Sequence, residues 1–142
     1  MPDIKGIVRR LIRRCGSNNP FEICAELGII VLFKDLGNVR GIFQHKYCKK
    51  IIYINCNLDP IIQRQICAHE LGHALLHKKI NTIFWDTCTY LLVDKIEIEA
   101  NTFAAELLID DELMQYEGYS LDHVAAVFGV QKKLVEYKVK LL

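Results

Sequence analysis

Residues 59–77 read DPIIQRQICAHELGHALLH, and the way this run folds decides how the rest of the chain is arranged. Asp59 before Pro60 is a helix start. The aspartate can accept from the first free amides, and proline's missing N–H costs nothing at the first helical position. Inside the run, His69-Glu70-Leu71-Gly72-His73 has the pattern H-E-x-x-H. At about 3.6 residues per turn, two histidines four apart lie nearly on one face, one turn along. Their rings can converge on a single ion, and zinc favours nitrogen donors of this kind. Glu70 sits one step round the helix, where it can reach a water on that ion without being a ligand. Two ligands, one general base and room for a water make the arrangement of a metal-assisted hydrolase. The pattern requires a third ligand.

That ligand is sought on the next long helix, expected from Asp94 to about Ile109. On a wheel of about 100° per residue, Ala100, Phe103, Ala104, Leu107 and Leu108 form an apolar stripe. Glu97 falls inside it, whereas Glu99 falls outside, near Glu106. A carboxylate aimed into an apolar face needs a partner to stay ionised, and a metal is such a partner. Glu97 is therefore the expected third ligand and Glu99 a surface residue. Asn101, four after Glu97, could hydrogen-bond the free ring nitrogen of a ligand histidine. His77 lies about 12 Å along the axis from His69, too far to share its ion, and reads as a helix-end residue favoured by the dipole. His45 and His123 have no partner at informative spacing and read as surface residues.

Around these two helices the chain reads as α+β. Ile4, Val8, Leu11, Ile12 and Cys15 fall at helical spacing, and that helix should stop at Gly16. Ser17-Asn18-Asn19 supplies cap candidates and Pro20 suits the first position of a short second helix to Leu27, closed by Gly28. Ile29 to Phe33 reads as a buried strand. Val39–Gln44 and Lys50–Asn55 read as a hairpin whose loop holds His45 and Lys46, giving a short antiparallel sheet behind the motif helix. Lys78 to Val93 has no clean period; a connection this long is a candidate lid or substrate-binding loop, or a loop packed by its own aromatics. Shorter helices should follow around Asp111–Tyr116, from Ser120 and from Gln131.

The 142 residues, with a formal net charge of +1, suit one domain with a core of its own. Charge is uneven: the first fifty residues are basic, Asp86–Asp122 is acidic, and the last dozen are basic again, which fits solvated faces or the steering of a partner. Six cysteines include no C-x-x-C pair, and most read as small buried hydrophobes in a reducing cytoplasm. Cys67 points away from the two histidines. No apolar run approaches the roughly 18 residues of a membrane span.

The sequence HELGHALLH (69–77), followed by EIEANTFAAELL (97–108), resembles the ImmA/IrrE family of zinc metallopeptidases. The likeness runs from about Ala25 to the C-terminus; it departs where the family often continues LLMP and this chain has Leu107-Leu108-Ile109-Asp110. The resemblance implies a small zincin-like domain with a thermolysin-like core. It implies His69, His73 and Glu97 as zinc ligands, Glu70 as base, and a helix-turn-helix repressor as the protein cut. Tyr90, Arg40 or His45 could steady the oxyanion, and substrate could add to an exposed strand edge. Residues 1–117 would form the peptidase domain, and 118–142 a helical segment packed on it.

That last segment carries a different reading. Ala125, Gly129 and Val135 have helix-turn-helix spacing, and Lys132, Lys133, Lys138 and Lys140 could contact phosphates. Gln131 is the one side chain there suited to a base edge. DNA binding is the alternative, as is a zinc-bound sensor without turnover.

Overall fold

The computed structural model describes residues 2–77 and 90–141. Helix α1 (Ile4–Cys15) is capped by Asp3, whose side chain accepts from Gly6 N–H, and ends at Gly16 in the left-handed region. Helix α2 (Pro20–Glu26) starts at Asn19, with proline in its first turn. Both helices start and stop on local chemistry, as their sequences predict.

Strand β1 (Ile30–Lys34) is followed by β2 (Gly41–Lys46) and β3 (Lys49–Asn55). The sheet order is β1-β3-β2. β2 runs antiparallel to β3, but β1 runs parallel to it, so the sheet is mixed, where an antiparallel one was expected. β1 is also an edge strand with Ile30, Leu32 and Phe33 exposed, not the buried strand its apolar run suggests. An apolar run reports what a strand can bury; its place in the sheet decides what it does bury. His45 and Lys46 belong to β2, paired with Lys50 and Lys49. The two-residue turn is Tyr47-Cys48, both at positive φ, the backbone sense that matches hairpin twist.

Phe43, Ile52 and Ile54 are fully buried and turn the sheet's inner face toward α3 (Pro60–Leu76), capped by Asp59. Beside α3 lies α4 (Tyr90–Leu108). It starts four residues before the expected Asp94, which is an interior residue of the helix. Of the connection read as a lid, 78–89 lies outside the described residues and 90–93 is helix. A 3-10 turn (Asp111–Tyr116) leads to α5 (Leu121–Phe128), with Ser120 as cap and Gly129 as left-handed stop, then to α6 (Lys132–Leu141). Val124, Val130, Leu134 and Val135 join the same hydrophobic cluster as Val8, Ile54, Leu71 and Phe103. α3 and α4 meet closely at Gly72, where an added Cβ would stand 3.1 Å from Phe103 Cβ. A larger residue there would force Phe103 to give by a few tenths of an ångström.

Candidate metal centre

α3 presents His69 and His73 on one side, as four-residue spacing requires, with ring centroids 4.8 Å apart and planes nearly perpendicular. From α4, Glu97 reaches both. Its Oε2 lies 3.2 Å from His69 Nε2 and its Oε1 lies 3.0 Å from His73 Nε2. One donor atom from each of the three residues lies within 4.8 Å of the others, so a His-His-Glu group is placed for binding a metal ion.

The surroundings suit that use. Asn101 Oδ1 lies 2.9 Å from His69 Nδ1. An amide oxygen only accepts, so the proton sits on Nδ1 and Nε2 is left to face the shared position. Burial works against ionisation of Glu97, but hydrogen bonds from His69 and His73 outweigh it and bring its carboxyl down to about 2. Burial would lower His69; its bond to Glu97 and the charges of Glu70 and Glu97 leave it raised. His73 is lowered, chiefly by burial.

Glu70 is buried, and its Oε2 has no hydrogen-bond partner. Burial pushes its carboxyl up to about 7, against the pull of His69 and with the push of Glu97. Gly41, at the start of β2, brings the sheet against it: a Cβ there would stand 2.5 Å from Ile66 Cγ2 and 3.2 Å from Glu70 Cγ. The chain leading into Gly41 is pinned by buried Asn55. Its Nδ2 donates to the carbonyls of Gly37 and Val39, and its backbone N–H donates to Arg40 O. Nothing in the spacing of residues singles out Asn55; its one signal is a polar side chain closing the apolar strand IIYIN.

A cleft of about 340 Å³ opens on the group, lined among others by Arg40, His69, Glu70, Glu97, Asn101, Gln131 and Tyr137. α6 thus forms part of its wall. Of the three oxyanion candidates, Arg40 lines this cleft, His45 does not, and the side chain of Tyr90 lies outside the described residues.

Several residues stand elsewhere than the sequence suggests. Glu99 is not a surface residue: it is 6% exposed and faces His77 Nε2 at 3.6 Å. Glu97 is the more accessible carboxylate, its side chain 32% exposed, because the stripe it shares with Ala104 borders the cleft. His77 does end α3, but its ring is turned inward against His73. Lys138 is 1% exposed and paired with Glu106 and Asp111. Gln131 exchanges two bonds with Gln65, through side chain and backbone. Arg64 donates to the carbonyls of Phe128 and Gly129 at the end of α5. His123 is exposed and stacks on Tyr119. Cys67 is buried with its sulfur 3.9 Å from that of Cys24. No helix among the described residues is long and apolar enough to cross a membrane.

Comparison with known proteins adds the following. A peptidase family model described as the IrrE N-terminal-like domain matches residues 24–140. The chain is 40% identical over 139 residues to "Uncharacterized immunity region protein 2" of Bacillus phage phi105, covering 95% of this chain and 88% of that one. It is 38% identical over 143 residues to "Metallopeptidase ImmA" of Bacillus subtilis (strain 168), covering 96% of this chain and 83% of that one.

Proposed function

The chain belongs to the IrrE N-terminal-like peptidase family, and from that footing we propose that it is a zinc-dependent metalloendopeptidase acting on a helix-turn-helix repressor. The observation that carries this reading is the convergence of His69, His73 and Glu97 beside the unpartnered Glu70 oxygen. Two nitrogens and one carboxylate are the donors of a catalytic zinc site that keeps a position open. When bound there, zinc supplies a Lewis acid that polarises the peptide carbonyl and activates water near neutral pH.

The remaining steps fall to the protein. Glu70 takes the proton of the attacking water on its Oε2 and delivers it to the departing amine, the two halves of general acid–base catalysis by one carboxylate. Asn101 fixes the tautomer of His69. Arg40 steadies the carbonyl oxygen as charge builds on it. β2 is the edge of the sheet nearest α3, so an extended substrate segment pairs with its open side. We read 1–117 as a zincin-like peptidase unit and 118–142 as the segment that closes its cleft.

A repressor target is supported by the family resemblance and by the relative named for a phage immunity region, and the cytoplasm is where such a repressor is met. DNA binding by 118–142 is disfavoured by two engagements: Gln131 is tied to Gln65 and Lys138 to Glu106. The decisive experiment measures zinc content and cleavage of the helix-turn-helix protein encoded nearby, for wild type and Glu70→Gln. Both should hold one zinc, and the variant should lose about 10²–10⁴-fold in cleavage rate. Chelation should abolish wild-type cleavage and zinc restore it. A wild type that binds no zinc, or a variant that cuts as fast, ends this reading.

A further inference from the structure

Behind His73, on the side away from Glu97, lies a pair of groups with no part in the steps above. His77 and Glu99 have side chains only 8% and 7% exposed. His77 Nδ1 lies 3.0 Å from His73 Nδ1. On the far side of its ring, His77 Nε2 has no hydrogen-bond partner and faces Glu99 Oε2 at 3.6 Å, an ion-pair separation longer than a good hydrogen bond. Two neutral imidazoles meeting at Nδ1 admit one proton between them: one ring donates and the other accepts.

Glu97 Oε1, 3.0 Å from His73 Nε2, favours a proton on that nitrogen until a metal takes it; once a metal does, Glu99 decides which ring donates. A carboxylate offers only acceptor oxygens, so it repels a lone pair on His77 Nε2 and favours a proton there. With its proton on Nε2, His77 has a bare Nδ1. The proton between the rings then belongs to His73 Nδ1, and the His73 Nε2 lone pair is turned toward the position shared with His69 and Glu97.

We propose that His77 and Glu99 are positioning residues for His73: Glu99 holds the proton on His77 Nε2, His77 Nδ1 accepts from His73 Nδ1, and His73 Nε2 is thereby kept as a metal donor. The proposal rests on His73 being a ligand. It gives each ligand ring an acceptor behind it, an amide oxygen of Asn101 for His69 and an imidazole nitrogen of His77 for His73. Losing such an acceptor typically costs about 10–100-fold in metal affinity.

The test is zinc affinity, measured by competition with a chromophoric chelator, for wild type, His77→Asn and His77→Leu. Asparagine keeps an acceptor near the place of Nδ1, whereas leucine fills the volume without one. Zinc binding should weaken about 10–100-fold in His77→Leu and stay within about 3-fold of wild type in His77→Asn. Unchanged affinity in His77→Leu overturns the proposal. So do equal losses in both variants, because the acceptor would then not be what matters. A wild type that takes up no zinc removes the underlying site as well, and the wild-type titration alone shows it. Nitrogen-15 NMR of the zinc-loaded wild type, with labelled histidine, gives a readout independent of any variant's folding. It should show His77 protonated on Nε2 and bare on Nδ1, and the opposite tautomer overturns the proposal.

Discussion

Gly41 is where the sheet comes nearest to Glu70, and the absence of a side chain is what permits it. Alanine there would push against Ile66 at 2.5 Å and against the Glu70 side chain at 3.2 Å. Gly41→Ala should cost about 1–3 kcal/mol of stability in urea unfolding. It should also cut peptidase activity while zinc content stays at one per chain, because it displaces Glu70 and not the two rings. Wild-type activity in this variant would mean that β2 yields freely. At this scale the meeting of His69 and His73 was legible, because one helical period fixes it. The burial of Glu99 was not. A wheel describes one helix alone, and the histidine that draws Glu99 inward comes from the end of another. Asn55 was equally hidden, since its partners lie 16 and 18 residues away.

α3 carries the two histidines and α4 carries Glu97, so the distance between these helices sets the distance between the donors. Gly72 against Phe103 is a close joint between them, with three side-chain atoms 3.1–3.2 Å from where a Cβ would stand. Gly72→Ala should destabilise by about 1–3 kcal/mol and weaken zinc binding in the same chelator competition. Adding Phe103→Leu should return part of both losses, the mark of two residues that share one space. Independent losses that simply add would show that the joint does not control the spacing. Most helix starts and stops were legible because caps are local: Asp59, Asn19, Ser120, Gly16 and Gly129 all act within a turn; the start of α4 was not, since Asp94 lies inside that helix. Strand order was not. Pairing of β1 with β3 is settled across the whole intervening hairpin, and no short pattern records it.

In the molecule as a whole, the uneven charge along the sequence has a partial structural outcome. Asp111 in the 3-10 turn binds Lys5 and Arg9 of α1 and Lys138 of α6, so basic and acidic stretches meet where three elements join. The hydrogen bond from Lys5 is the main reason the Asp111 carboxyl drops to about 2; burial opposes it, and Lys138 adds to it. A carboxyl depressed on folding contributes stability above its unfolded value of 3.8 and loses it as pH falls through about 2. Asp111→Asn should therefore be less stable than wild type at neutral pH, and the gap should close between about pH 4 and pH 2. Its side chain is 44% exposed, so screening by solvent holds the neutral-pH difference to about 0.2–1 kcal/mol. Denaturant unfolding of both proteins across that range checks it, and a gap that persists in acid would assign the effect to packing. Pairing of this kind was not legible, since spacing along a chain says nothing about which charges a fold brings within 3 Å.

One consequence of the β2 register concerns parity. Gly41 and Phe43 share the inner face of β2, one lying against Glu70 and the other fully buried, because alternate residues of a strand point the same way. Insert one residue between Phe43 and the turn, and unless a bulge absorbs it, every residue before it turns over. The side chain of Ile42 would then stand where the strand now has only hydrogen. Insert two, and odd and even positions keep their faces, but Phe43 moves into the place of Gly41 against Glu70. A change of length in β2 near Tyr47 and Cys48, well away from the histidines, thus takes the glycine away from Glu70 in steps of one or of two unless the turn absorbs it.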